Sequence, residues 1–236
     1  MSISENIAAI RANMDAAAMA AGRDPKKILL CAATKMNDAA AVREAIRCGV
    51  DCCGENRVQE LTAKLADAAY TGKPVHFIGH LQTNKVKQVV GKVDLIQSVD
   101  SLRLLDAIQK EAARQNICQN ILLEINIGQE ENKSGFAASG VWEVLDNMQN
   151  FPNIAVKGLM AIPPICENPG DNDKFFQEMY NLAVDITAKK GDNVSMEILS
   201  MGMSDDFEDA IRCGSTMIRV GTAIFGARNY ANTHHQ

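Results

Sequence analysis

A lysine follows the first strongly apolar run of the chain, in the segment ILLCAATKMND at 28–38. In a strand over 28–34, alternation places Cys31 and Ala33 on the face that Lys35 continues. An apolar wall disfavours the charged form of a lysine, and a neutral amine is the nucleophile that forms Schiff bases with carbonyl compounds. Lys35 is therefore a candidate attachment point for a carbonyl group. The alternative is a lysine that extends from a strand-to-helix loop into solvent.

Two late segments contain the residue types that bind phosphate. Ser200 and Ser204 flank a glycine in LSMGMSDD, and Gly221 and Thr222 follow the run IRV. Small residues leave backbone N–H groups accessible, and such groups at the start of a helix bind phosphate. Ordinary capping, with Ser204 as the N-cap of the next helix, explains either segment alone. The two together, after the last two predicted strands, favour a phosphate site.

Arg219 lies within the last predicted strand, on the face that leads to the glycine two residues later. A buried arginine is costly unless it is paired. Its partner is either a ligand atom or a carboxylate, for which Glu197 on the seventh predicted strand and Glu124 on the fifth are candidates.

Asn56 and His80 follow the second and third predicted strands. Asn56 either caps the next helix or directs a donor at a ligand. His80 is either an acid–base group or a structural polar residue. The spacing of His, Cys, Asp and Glu predicts no metal site, and the chain has no G-x-S-x-G, dinucleotide or P-loop motif.

These residues must be positioned by strands that alternate with helices. Strands are predicted at 28–34, 50–54, 75–79, 94–99, 120–127, 154–160, 195–200 and 216–220. Helices are predicted at 3–21, 37–48, 56–69, 83–90, 101–115, 138–149, 172–190 and 204–213. The alternation indicates parallel βαβ units, which an open doubly wound sheet and a closed barrel both satisfy. Eight units in about 250 residues favour an α/β fold, a single (β/α)8 TIM barrel with an extra N-terminal helix.

A short internal repeat supports the barrel. EAIRCGVD at 44–51 and DAIRCGST at 209–216 are nearly identical. Each segment predicts the end of a helix, a glycine just after it (Gly49, Gly214) and then a strand.

The bulk composition excludes several classes of protein. The chain has 236 residues and a formal net charge of −5, with no basic block, which argues against nucleic-acid binding. It has no run of the roughly 18 apolar residues that a membrane span requires, and its start lacks the apolar core of a secretory signal. Seven cysteines without regular spacing argue for reduced residues rather than a disulfide framework. We expect a cytoplasmic, monomeric protein.

Several segments together resemble the pyridoxal phosphate homeostasis protein family, in order and over nearly the whole chain. They are TKMNDAAAVREAIRCGVDCCGENRVQE, HFIGHLQTNK, QSVDS, EINIGQEENKSGF, GLMAIPP and LSMGMSDDFEDAIRCGSTMIRVGTAIFGAR. The resemblance implies that 1–236 form one domain, a barrel similar to the N-terminal domain of alanine racemase. The chain departs from the family at Arg57, where an aromatic residue is common.

The resemblance also implies a cofactor site. Lys35 would hold pyridoxal 5′-phosphate as a Schiff base, and Arg219 would lie beside the pyridine nitrogen. The phosphate would be held by Ser200, Ser204, Gly221 and Thr222, and the cofactor would be lined by Asn56, His80 and Met201.

An arginine beside the pyridine nitrogen opposes its protonation and makes the ring a weaker electron sink. In enzymes similar to alanine racemase, a tyrosine from a separate C-terminal domain supplies the second base. Tyr70, Tyr180 and Tyr230 are the tyrosines of this chain, and none lies at a predicted strand end. We therefore expect a non-catalytic protein that holds the cofactor and delivers it to apo forms of pyridoxal phosphate enzymes. The alternatives are an amino-acid racemase, a class I aldolase with a lysine imine, and a protein in which Lys35 is only exposed.

Overall fold

Eight parallel strands close into a barrel in the computed structural model of the chain, and the last strand pairs with the first. The structure describes residues 1–130, 133–165, 168–189, 191 and 193–226. The strands are β1 Leu29–Ala33, β2 Cys52–Glu55, β3 Val75–Phe77, β4 Leu95–Val99, β5 Gln119–Ile125, β6 Ile154–Ala161, β7 Val194–Ser200 and β8 Met217–Val220. The predicted closed barrel is confirmed, and the open doubly wound sheet is excluded.

Helices surround the barrel and separate its strands. They are α1 Ile3–Ala20, α2 Ala39–Arg47, α3 Val58–Ala66, α4 Leu102–Gln115, α5 Val141–Asp146, α6 Asp173–Lys189, α7 Phe207–Arg212 and α8 Thr222–Phe225. Three short 3₁₀ helices span Pro25–Lys27, Thr83–Gln88 and Met148–Asn150. Within the described part of the chain, no helix combines the length and the apolarity that crossing a membrane requires.

Two helix predictions differ from the structure. The segment predicted as a helix at 83–90 is the 3₁₀ helix Thr83–Gln88, which lacks a side-chain cap and contains β-branched residues that disfavour an α-helix. The helix predicted at 138–149 is divided, because Asn147 leaves helical geometry between α5 and the following 3₁₀ turn.

The predicted N-terminal helix is confirmed as α1. It begins with a capping box, in which the Ser2 hydroxyl accepts from the Glu5 backbone and the Glu5 carboxylate accepts from that of Ser2. Ile7, Ile10 and Met14 lie one helical turn apart and are buried against the body of the barrel.

The internal repeat also has the predicted conformation. Helices α2 and α7 end at Cys48 and Cys213, and the glycines that follow, Gly49 and Gly214, have φ of 94° and 107°. A left-handed φ is strained for residues with a Cβ, so a glycine in this position ends the helix and leads the chain into the next strand.

A buried glutamate joins the ends of β1 and β2. The Glu55 side chain is fully buried, and its Oε2 lies 2.6 Å from the Lys64 ammonium of α3. Oε2 also accepts from the Thr34 hydroxyl at 3.1 Å, while Oε1 accepts from the Asn56 backbone at 2.7 Å. This set of partners satisfies a carboxylate that would otherwise be costly to bury.

The same ion pair fixes both flanks of Lys35. The Lys64 ammonium donates to the Thr34 carbonyl at 2.7 Å and lies 3.3 Å from the Glu60 carboxylate. Glu60 in turn accepts from the Met36 backbone at 2.6 Å, where the chain has an uncommon left-handed φ of 62°. We call Glu55, Glu60 and Lys64 the clamp, since they hold the residues before and after Lys35.

Breaking the clamp should cost far more than breaking an exposed ion pair. We expect Lys64→Met to lower the free energy of unfolding by about 3–5 kcal/mol, because Glu55 stays buried without its counter-charge. Lys157→Met is the matched control, since Lys157 pairs with Glu197 at the surface and such pairs contribute about 1 kcal/mol or less. Urea unfolding of both variants measures the difference, and equal losses would contradict the role of the clamp.

Candidate functional site

The carboxyl ends of β1 and β8 meet at the rim of the barrel. A Cβ on Gly221 would lie 3.4 Å from Ala33, so the residue before α8 approaches the strand that leads to Lys35. Lys35 is half-buried in the turn after β1, and Thr222 begins α8. The fold therefore brings Lys35, Gly221 and Thr222 to one side of the rim, as a phosphate site near the lysine requires.

The loop after β7 completes this side of the rim. The Ser204 hydroxyl lies 3.5 Å from the Ala223 backbone nitrogen in the first turn of α8. The prediction that Ser204 caps the following helix is wrong, because α7 begins three residues later and its N-cap is Asp206. The Asp206 carboxylate accepts from the Met203 backbone at 2.7 Å and keeps the loop closed. Ser204 is thus turned toward α8 rather than used by α7.

Arg219 faces the barrel interior and is almost fully buried. Its guanidinium donates to the Ser200 hydroxyl at 2.6 Å and to the Ala161 carbonyl at 2.9 Å. Burial lowers the pKa of Arg219, and no carboxylate among the described residues forms an ion pair with it. The arginine therefore has neutral hydrogen-bond partners and no carboxylate in direct contact with it inside the site.

The two carboxylates considered as partners of Arg219 behave differently. Glu197 is mostly exposed and pairs with Lys157 outside the barrel, so its predicted pairing with Arg219 is wrong. Glu124 is near enough for electrostatic attraction to Arg219, without the contact of an ion pair.

Ser200 and Met201 point in opposite directions from the end of β7. The Ser200 hydroxyl is fully buried inside the barrel, where it donates to the Gln97 side-chain carbonyl at 2.7 Å. The Met201 side chain packs with the apolar residues between strands and helices, among them Phe207 and Ala210. Only the backbone of Met201 is thus presented near the rim, while Ser200 orients Arg219.

Asn56 and His80 lie at the rim after β2 and β3, on the other side of β1 from β8. The side-chain carbonyl of Asn56 is buried and has no hydrogen-bond partner among the described residues. It does not cap α3, whose N-cap is Arg57. A Cβ on Gly79 would lie 2.2 Å from the backbone carbonyl oxygen of Asn56. Only glycine therefore allows the segments that follow β2 and β3 to approach this closely. His80 is exposed and its Nδ1 lies 3.0 Å from the Asp100 carboxylate.

Sequence reasoning missed the residues that support this site. Glu55, Lys64 and Gln97 contribute the hydrogen bonds that hold Lys35 and Arg219 in place. A signal was present for Gln97 and Ser98, because two adjacent polar residues interrupt the apolar run of a predicted buried strand. No comparable signal marks Lys64, which looks like any charged residue on an amphipathic helix.

The comparisons with known proteins agree with the fold. The family model for the alanine racemase N-terminal domain matches residues 6–229. The pyridoxal phosphate homeostasis protein of Aquifex aeolicus is 41% identical over 230 residues, which are 98% of this chain and 100% of that protein.

Solved structures also show the similarity of fold. PipY of Synechococcus elongatus, determined with pyridoxal phosphate bound, is 30% identical and superposes with a TM-score of 0.82 over 95% of this chain and 100% of its own. An alanine racemase of Clostridium difficile is 15% identical and superposes with a TM-score of 0.68 over 98% of this chain and 58% of its own, which is a likeness of fold alone.

Glu124 makes stability depend on pH. Burial, and then the nearby Asp100 carboxylate, raise the pKa of Glu124 to about 7. Folded Glu124 keeps a proton that the unfolded chain releases near pH 4.3, so the free energy of unfolding falls as pH rises from about 4.5 to 7. Glu124→Gln removes this penalty. We compare the free energy of unfolding of this variant with that of the unmodified chain. From pH 5 to pH 8 the difference should shift by about 2 kcal/mol in favour of the variant.

Urea unfolding at the two pH values measures this change. Exposed Glu143, in α5, provides the control, because Glu143→Gln should show no such improvement. A difference for Glu124→Gln that does not vary with pH would contradict the assignment.

Proposed function

The chain belongs to the alanine racemase N-terminal domain family and, within it, to the pyridoxal phosphate homeostasis proteins, and on this premise we propose that it holds pyridoxal 5′-phosphate on Lys35 and delivers it to other proteins. The observation that carries the proposal is the clamped position of Lys35. The residues on both of its sides are fixed by hydrogen bonds to Lys64 and Glu60, next to Gly221 and the start of α8. Attachment of a phosphorylated aldehyde as a Schiff base is favoured by an amine held at a defined place beside a phosphate site.

The residues present fit this cofactor. Asn56 has a buried side-chain carbonyl that lacks a partner among the described residues, and a ligand at the rim would satisfy it. Arg219 is buried between two neutral partners and can receive a ring nitrogen without losing an ion pair. A single chain supplies all of these groups, so the proposal treats 1–236 as one cofactor-binding domain that acts as a monomer.

The phosphate end of the cofactor belongs, in this proposal, at the start of α8. Thr222 and Gly221 supply backbone N–H groups there, and the Ser204 hydroxyl extends from the loop after β7. Ser200 contributes by orienting Arg219, and Met201 contributes through its backbone. His80 and Asn56 line the side toward β2 and β3.

Bound pyridoxal phosphate supplies an electron sink for reactions at the α-carbon of amino acids. Arg219 weakens that sink, because a positive charge beside the pyridine nitrogen opposes its protonation. The described tyrosines provide no second base at the rim. The Tyr70 hydroxyl lies 3.4 Å from buried Glu55, and Tyr180 packs against Gly214 beyond the end of α7. Tyr230 lies outside the described residues. These features support holding the cofactor rather than turning over amino acids.

An amino-acid racemase is the second candidate. The observation in its favour is the His80–Asp100 pair, since an exposed imidazole 3.0 Å from a carboxylate can transfer protons at the rim. Chiral chromatography of alanine and serine incubated with the loaded chain separates the two functions. We expect no racemisation above that of Lys35→Ala, and racemisation that His80→Ala abolishes would establish the enzyme instead.

Attachment to Lys35 is tested by absorbance. The chain loaded with pyridoxal phosphate should have a near-visible band that borohydride removes, and Lys35→Ala should lack it, because only this amine is held at the site. Lys133→Ala is the matched control, a second lysine near the rim after β5, and it should keep the band. A band that survives in Lys35→Ala but not in Lys133→Ala would show that the lysine was wrongly assigned.

Delivery is tested by transfer. The loaded chain is mixed with the apo form of a pyridoxal phosphate enzyme, and recovery of that enzyme's activity is followed over time. We expect recovery faster than from an equal concentration of free cofactor in the presence of a phosphatase that destroys it. Recovery no better than from free cofactor would contradict delivery while leaving attachment intact.

A further inference from the structure

Two thiols and an imidazole meet inside the barrel, away from the rim. Cys31 of β1, Cys52 of β2 and His76 of β3 are all buried, and their ligating atoms lie within 4.8 Å of one another. Cys31 and Cys52 face each other in the register of the two strands. Spacing along the chain does not reveal this cluster, because three different strands contribute to it.

A thioether extends the cluster. Met217 of β8 packs against both Cys31 and Cys52, and its sulfur lies 3.2 Å from the Gln97 side-chain nitrogen. The set is therefore two thiols, one imidazole and one thioether. Soft donors of this kind select monovalent copper, whereas zinc is bound by thiolate, imidazole and carboxylate rather than by methionine.

Gln97 orients the imidazole. Its side-chain nitrogen donates to the Nδ1 of His76 at 2.9 Å, so in the neutral ring Nε2 keeps the proton. Copper binding at Nε2 moves this proton to Nδ1, and the Gln97 amide turns over so that its carbonyl accepts from Nδ1–H, the usual arrangement of a histidine that binds a metal. Gln97 therefore plays a part at both ends of the barrel, since its carbonyl accepts from Ser200 beneath the rim.

The local charge also suits copper. A Cu⁺ ion with two thiolates has a net charge of −1, and a buried charge of this kind needs a counter-charge. Arg219 is buried, attracts Cys31 electrostatically and has no ion-pair partner among the described residues. It would neutralise the copper site from within the barrel.

The separations of the ligating atoms are close to those of a metal site. Metal–thiolate bonds of about 2.3 Å in a trigonal site place the two sulfurs about 4.0 Å apart. The ligating atoms of this cluster lie within 4.8 Å of one another. Every position is then filled by protein, which is typical of a site that stores or sequesters a metal rather than a catalytic one.

We propose that Cys31, Cys52 and His76 bind one monovalent copper ion in the lower part of the barrel, with Met217 as a weak fourth ligand. All four residues are buried, and Cys52 and Met217 are the first residues of β2 and β8. None of these four ligands belongs to the proposed cofactor site, although Arg219 is shared as a neighbouring charge, so copper binding is tested separately from the proposed function.

Competition with a chromogenic copper chelator tests the proposal. The full-length chain is titrated under anaerobic conditions, with a phosphine reductant, against the Cu⁺ complex of bicinchoninate. We expect the chain to remove one equivalent of copper and Cys52→Ala to weaken this binding by more than about 100-fold, beyond the loss caused by outer partners of a metal site.

Cys53→Ala is the matched control. Cys53 is the next residue on β2, is equally buried and belongs to the layer between strands and helices. It should therefore keep full copper affinity. Equal losses in the two variants, or no stoichiometric binding by the unmodified chain, would overturn the proposal.

X-ray absorption of the unmodified copper-loaded chain provides a measurement that does not depend on a folded variant. We expect a Cu⁺ edge with two close sulfurs and one nitrogen from imidazole. A shell of sulfur alone would exclude His76 as a ligand and overturn the site. Zn²⁺ held in preference to Cu⁺ in the same competition would overturn the assignment of the metal.

Discussion

The buried ion pair between Glu55 and Lys64 is the interaction on which the site depends. A carboxylate and an ammonium inside a protein are costly unless each is fully satisfied, and here the surrounding hydrogen bonds come from the chain on either side of Lys35. The Glu55 carboxylate also accepts a hydrogen bond from the backbone N–H of Asn56. One pair of charges thus positions Lys35, which follows β1, and Asn56, which follows β2. The rigidity of this part of the rim follows from the cost of leaving either charge unpaired.

Inside the barrel, a line of hydrogen-bonded polar side chains runs beside small apolar clusters such as Leu95, Leu122 and Met160. Arg219 donates to Ser200, Ser200 donates to Gln97, and Gln97 holds His76. The line begins beneath the rim and ends at the thiols of Cys31 and Cys52 near the other end of the strands. Such networks specify one arrangement when every member is satisfied. The positive charge of Arg219 lies at its upper end, where it shapes both the proposed cofactor site and the proposed copper site.

The fold could be predicted from the sequence because its signals are local and repeated. Alternating strands and helices, the eight units and the glycines at 49 and 214 each require only the spacing of nearby residues. The extra helix α1 was predicted from Ile7, Ile10 and Met14 on one face. At Thr83–Gln88 the prediction failed because the local signal for an α-helix is weak. For Ser204 it failed because the residue was assigned to α7 as a cap, whereas its hydroxyl lies near α8.

The site could be predicted only in part, because its support comes from residues distant in sequence. Lys35, Arg219 and Gly221 were recognisable as unusual residues at strand ends. The partners of Arg219 were not, since Glu197 faces outward and the true partners are a serine and a backbone carbonyl. The cluster of Cys31, Cys52 and His76 could not be predicted from residue spacing, because three different strands contribute to it. Which side chains on different strands lie close together depends on how the strands pair in the closed barrel. It can be predicted only after the register of the strands is known.

The central claim is that Lys35, among all lysines of the chain, holds pyridoxal phosphate. Its most direct test is to load the chain with the cofactor, reduce it with borohydride, digest it and locate the pyridoxyl group by mass spectrometry. The account predicts one modified peptide, the one that contains Lys35, at near-stoichiometric yield. A pyridoxyl group spread over several surface lysines, or located on another single lysine, would contradict it.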